Sequence, residues 1–177
     1  MDETYIGGCE QGVIGRLTHD KALVLVAAQE DGSRIGRIRL QRVPELTRTS
    51  VRRFVEQAIE PGSVLRTDGL NVYQGLAGYD HQPVIVKKQA ADASTLLPGV
   101  HRVASLLKRW LLGTHQGAVR AEHLDDYLDE FTFRFNRRRS ASRGKLFYRL
   151  VQQATQVEAA PYSVLNQHIS PGPNHKP

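Results

Sequence analysis

The chain has 177 residues, 40% hydrophobic and 24% charged, with 15 Gly and 8 Pro. At roughly 150 residues per domain this describes one globular domain and excludes collagen-like and low-complexity chains. The lone Cys9 excludes an internal disulfide and a Cys-rich zinc ribbon. No apolar run approaches the roughly 18 residues of a membrane span, and Asp2 and Glu3 stand where a signal peptide would be basic, so the chain reads as cytoplasmic with no membrane partner.

The net charge of +6 points to a polyanionic partner, and it is concentrated in one block: residues 101–150 carry 11 basic and 5 acidic side chains, while the rest of the chain is balanced. That block holds Lys108, Arg109, the run Arg137, Arg138 and Arg139, then Arg143, Lys145 and Arg149. A basic run of this kind is also compatible with a solvated helix face. The interleaved Phe131, Phe133, Phe135, Phe147 and Tyr148 have the spacing of core residues.

In chain order, residues 2–7 alternate weakly as a strand and end at the Gly7-Gly8 pair. The run Ala22 to Ala28 is apolar on both faces, as in a strand covered on two sides. After the Asp31-Gly32 turn, residues 34–43 place Gly36, Ile38 and Leu40 on one face and Arg37, Arg39 and Gln41 on the other, predicting a hairpin partner. Val51, Phe54, Val55, Ala58 and Ile59 form a helical stripe with Thr49 or Ser50 as N-cap and Pro61-Gly62 as the stop.

A short strand over 63–67 delivers Asp68-Gly69, followed by a helical stretch near 72–77 and a strand over 83–86. From about residue 99, Val103, Leu106, Leu107, Trp110 and Leu111 define a helix ending at Gly113. A further helix spans 121–137 on Leu124, Tyr127, Leu128, Phe131 and Phe135, and a last one spans about 145–155. Strands first and helices later, with one helix between them, predict an α/β layered domain over residues 1–156 and a disordered tail over 157–177.

Two strand-borne carboxylates stand out. A buried carboxylate at a strand end is costly unless it is paired or metal-bound, which singles out Asp68, although Asp-Gly is also an ordinary turn. Asp2 is the other, with Glu3 alternating to the opposite face and a solvated terminal acid as the plain alternative. On the helix from residue 99, His101, Ser105 and Lys108 share one polar stripe opposite the apolar one, so that a metal ligand and a cation could face one phosphodiester.

The stretches Met-Asp-Glu-Thr-Tyr-Ile-Gly-Gly, Thr-Asp-Gly-Leu-Asn-Val-Tyr, Ser-Leu-Leu-Lys-Arg-Trp-Leu-Leu-Gly-Thr-His and Tyr-Leu-Asp-Glu-Phe-Thr-Phe-Arg-Phe-Asn-Arg-Arg resemble, in order, the DDE-type transposases of bacterial insertion sequences, in the ISXO-two-like group. The resemblance runs from residue 2 to about residue 153. It implies a ribonuclease H-like fold of the retroviral integrase superfamily, with a mixed five-stranded sheet flanked by helices. It implies two divalent metal ions, Mg²⁺ or Mn²⁺, held by Asp2, Asp68 and, at the position where related enzymes have Glu or Asn, His101. It also implies Lys108 as the cation beside the scissile phosphate.

An imidazole in place of an acid softens the ligand set and tilts preference from Mg²⁺ toward Mn²⁺. In such a site water attacks the element's end and the freed 3′-hydroxyl then attacks target DNA, without a covalent enzyme intermediate. Lys108, Arg109, Arg137, Arg138 and Arg139 are the implied contacts to the double-stranded DNA backbone, in a homo-oligomer on the bacterial nucleoid.

Related transposases carry a zinc ribbon and a helix-turn-helix before this domain, so the resemblance implies a domain truncated at its N-terminus. A mis-assigned start, a frameshifted or decaying element and a short catalytic fragment all fit. Two other readings of the same residues are a catalytically inactive DNA-binding remnant and a ribonuclease H-like nuclease that cuts without joining.

Overall fold

The computed structural model describes residues 1–7, 21–84, 97–115, 119 and 123–156. It divides into two compact units, Met1–Asn136 and Arg137–Pro177. The tail expected to be disordered, 157–177, lies outside the described residues.

In the first unit, β1 (Asp2–Ile6), β2 (Ala22–Asp31) and β3 (Arg34–Val43) form an antiparallel sheet in that order. The apolar run of β2 is explained by its central place: Val24, Leu25 and Val26 are all fully buried, on alternating faces. Gly32, at φ +58, turns the chain into β3. On β3 the alternation holds, with Ile38 buried and Arg37 and Arg39 exposed.

One face of the sheet (Ile6, Val24, Val26, Ile38) packs against α2 (Pro98–His115) and α3 (Leu124–Asn136) through Val103, Leu107, Leu124 and Leu128. The other face (Leu23, Leu25, Val43) packs against Val51, Phe54 and Val55 of α1 (Arg48–Ala58) and against Leu65, Tyr73 and Leu76. The α/β layering therefore follows from a sheet with two apolar faces, each needing a cover. Among the described residues no helix is long and apolar enough to cross a membrane.

The second sheet is a parallel pair, β4 (Val64–Thr67) and β5 (Asp80–Pro83). Among the described residues, five strands thus hydrogen-bond as sheets of three and two. Between the groups, the Met1 amino nitrogen donates to the Arg66 carbonyl at 2.6 Å.

Several boundaries differ from the sequence reading. The N-cap of α1 is Thr47, whose Oγ1 accepts from the Ser50 N–H at 3.1 Å, because the chain enters the helix two residues before Thr49 and three before Ser50. Ile59, expected within the stripe, is extended. The helical stretch expected over 72–77 is a single 3₁₀ turn, Asn71–Tyr73. β5 lies upstream of the expected 83–86, where its backbone can pair with β4; residues 85–86 are outside the described set. α2 continues through Gly113, which stays helical and caps nothing, at a cost of about 1 kcal/mol relative to Ala.

The second unit contains a turn at Arg137–Arg139 and α4 (Arg143–Ala154), where Phe147, Tyr148, Leu150 and Val151 are exposed.

The outer edge of β3 is closed by a side chain. Asn136, the last residue of α3, accepts from the Ile38 N–H at 2.7 Å through Oδ1 and donates to the Ile38 carbonyl at 3.1 Å through Nδ2. Arg42 of β3 pairs with Asp125 of α3 at 3.0 Å, an exposed contact of small energy. Asn136→Ala should strand both Ile38 groups and destabilise the protein by about 1–3 kcal/mol, with the exposed Arg42→Ala change near zero, both measured by urea denaturation.

Candidate metal centre

Asp2 begins β1 opposite Val26 and faces α2, so its carboxylate is brought to the sheet's edge with 9% exposure. Its Oδ1 accepts from the Glu3 backbone N–H at 2.9 Å. Its Oδ2 lies 3.7 Å from Nε2 of His101, carried by the first turn of α2. Pro98 starts that helix, and its apolar stripe (Val100, Val103, Leu107, Leu111) docks it on the sheet, which fixes where His101 falls.

Asp68 directly follows the last residue of β4. Its Oδ1 accepts from the Leu70 N–H at 3.1 Å across Gly69, whose φ of +82 is a conformation glycine adopts without strain. Thr67, fully buried, pairs its hydroxyl with His81 Nε2 of β5 at 2.9 Å and so holds the end of β4 from which Asp68 projects.

Asp2, Glu3 and Asp68 each offer a carboxylate oxygen, and these three oxygens lie within 4.8 Å of one another. Both sequence-predicted aspartates therefore meet, and His101 adjoins them through Asp2. Glu3 is the residue that strand alternation set aside. It does alternate, toward the face that carries Tyr73, whose hydroxyl donates to Glu3 Oε2 at 2.6 Å. Its carboxylate nevertheless offers an oxygen within 4.8 Å of those of Asp2 and Asp68, and only its adjacency to Asp2 hinted at this.

Lys108 lies two turns beyond His101 on α2, about 10 Å along the axis, and is exposed beside Arg109. Burial of its stem, then the nearby Lys21 charge, lowers its ammonium below the ordinary lysine range. Arg137, Arg138 and Arg139 belong to the second unit; burial and the neighbouring Arg139 lower the Arg138 guanidinium from its usual value.

The model of the ISXO2-like transposase domain matches residues 1–136. The chain belongs to that family. No curated protein and no solved structure gives a match. The match to the transposase domain ends with the first compact unit, short of residue 153, and leaves out the Arg137–Arg139 turn and α4.

DDE transposases imply divalent-metal use, and the donor set of this one fits such an ion. Three carboxylates this close repel one another, and hard oxygen donors suit Mg²⁺ or Mn²⁺, which relieve that repulsion. Asp2→Asn and Asp68→Asn should each weaken Mn²⁺ binding to the transposase domain at least tenfold, read by isothermal titration calorimetry, without loss of the far-ultraviolet circular dichroism signal.

Proposed function

We propose that this transposase domain catalyses divalent-metal-dependent phosphodiester hydrolysis and strand transfer on double-stranded DNA, on a ribonuclease H-like scaffold. The observation that carries the proposal is the meeting of Asp2 and Asp68, from the ends of two different strands, beside the helix-borne His101. The scaffold reading is supported by three antiparallel strands, one helix, then a parallel pair, with the Met1-to-Arg66 hydrogen bond where β1 and β4 approach.

Asp2, Asp68 and His101 would hold the ions. A bound pair of divalent ions supplies activation of the attacking oxygen and charge stabilisation on the leaving one. Asp2 is kept in place by burial and by the Glu3 N–H, and Asp68 by the Leu70 N–H, so neither ligand needs reordering when DNA arrives. Neither aspartate acts as a nucleophile in this scheme; water opens the first phosphodiester and a DNA 3′-hydroxyl the second.

Lys108, exposed on α2 two turns beyond His101, supplies a positive charge to a phosphate. Arg109 and the Arg137 to Arg139 run add backbone contacts that carry no base information. Two such domains acting on two element ends would account for a homo-oligomeric active complex, working in the cytoplasm on nucleoid DNA.

The test uses the full chain with duplexes carrying the element's terminal sequences and a supercoiled plasmid target. Nicking and joining should require Mg²⁺ or Mn²⁺ and should vanish in Asp68→Asn. Cleavage that persists in EDTA or in that variant overturns the assignment. Binding without nicking marks a DNA-binding remnant, and cutting without joining marks a nuclease. Lys108→Ala should lower the slope of log affinity against log salt by about 1, the signature of one lost phosphate contact.

A further inference from the structure

Tyr73 closes the 3₁₀ turn that follows the Asp68 loop, and its side chain is fully buried in the cluster formed by Leu25, Val51, Phe54 and Leu65. From that packed position its hydroxyl reaches Glu3 Oε2 at 2.6 Å. The same Glu3 carboxylate offers an oxygen within 4.8 Å of those of Asp2 and Asp68. The ring is walled by apolar side chains and cannot swing away, whereas glutamate has a flexible stem and stands beside two like charges that push it outward.

We infer that Tyr73 is a positioning residue: its hydroxyl holds the Glu3 carboxylate at the metal centre, making Glu3 a third carboxylate ligand beside Asp2 and Asp68. The inference rests on the reading of Asp2 and Asp68 as a divalent-metal centre. In this contact the phenol O–H is the donor and Glu3 Oε2 the acceptor. The same hydrogen bond ties the chain just after β4 to the start of β1, and so couples the spacing of the two strands that bear the aspartates. Outer hydrogen-bond partners of metal ligands typically contribute 10–100-fold in metal affinity.

The experiment titrates Mn²⁺ alone into the full chain by calorimetry, for the parent protein and for Tyr73→Phe, Glu3→Gln, Glu3→Asp, the Tyr73→Phe/Glu3→Gln double variant and Asp68→Asn. Tyr73→Phe keeps the buried ring and should weaken Mn²⁺ binding about tenfold. Glu3→Asp, which keeps the charge but withdraws it from Tyr73, should do the same, and it tests the inference even if the phenylalanine variant fails to fold. The double variant should bind no more weakly than Glu3→Gln alone, because the hydroxyl acts only through that carboxylate.

Parental Mn²⁺ affinity in Glu3→Asp, or additive losses in the double variant, overturns the role of Tyr73 while a loss in Asp68→Asn leaves the centre standing. Equal affinities in the parent and Asp68→Asn overturn the centre itself, and the Tyr73 inference with it.

Discussion

Everything at this site depends on bringing like charges together and keeping them there. Three carboxylate oxygens within 4.8 Å oppose their own convergence, so the polypeptide around them must be stiff enough to hold them without the ion that relieves the repulsion. The stiffness comes from β2, whose two buried faces weld β1 to a helical layer on each side. Asp2 inherits its place from the register of β1 against β2, and Asp68 from a strand end tied by Thr67 to His81 and finished by a turn through Gly69. His101 arrives from a third direction, on a helix docked by its own apolar stripe.

Much of this was legible in the residues. The two-sided apolar run of β2 and the alternation along β3 carry strand geometry in their composition, and the stripes of α1, α2 and α3 carry helical period. Asp68 could be singled out because a carboxylate followed by glycine at a strand end asks for a partner. What could not be read depended on choices that local sequence leaves open. Thr47, Thr49 and Ser50 are all acceptable caps, and only the path of the chain out of β3 selects Thr47. Gly113 looks like a stop signal, yet α2 passes through it to His115, whose ring packs against Trp110 and Tyr127. For β5, the pairing partner rather than intrinsic preference sets the limits, since Asp-His-Gln-Pro has little strand character of its own.

Glu3 and Tyr73 show a different kind of illegibility. Period-two alternation correctly separates Glu3 from Asp2 in backbone direction, but the Glu3 carboxylate still offers an oxygen within 4.8 Å of those of Asp2 and Asp68, so direction does not fix position. Tyr73 carries no sequence signal for its hydrogen bond at all; an aromatic residue a few positions after a strand reads as core, and its ring is core. The polar tip is the part that periodicity cannot see. Family membership covers the residues that build the centre, while the basic turn at Arg137–Arg139 lies beyond the matched span.

The amide of Asn136 at the rim of β3 has one more consequence. An outermost strand with open N–H and C=O groups is a template on which a foreign strand can add, and sheets exposed this way grow into intermolecular assemblies. By engaging both backbone groups of Ile38 with a single carboxamide, α3 ends as a false strand residue, and the docking ledge at that point is already taken. The arginines that β3 displays on either side of it add charge along the same border, so this margin of the sheet is guarded against self-recruitment.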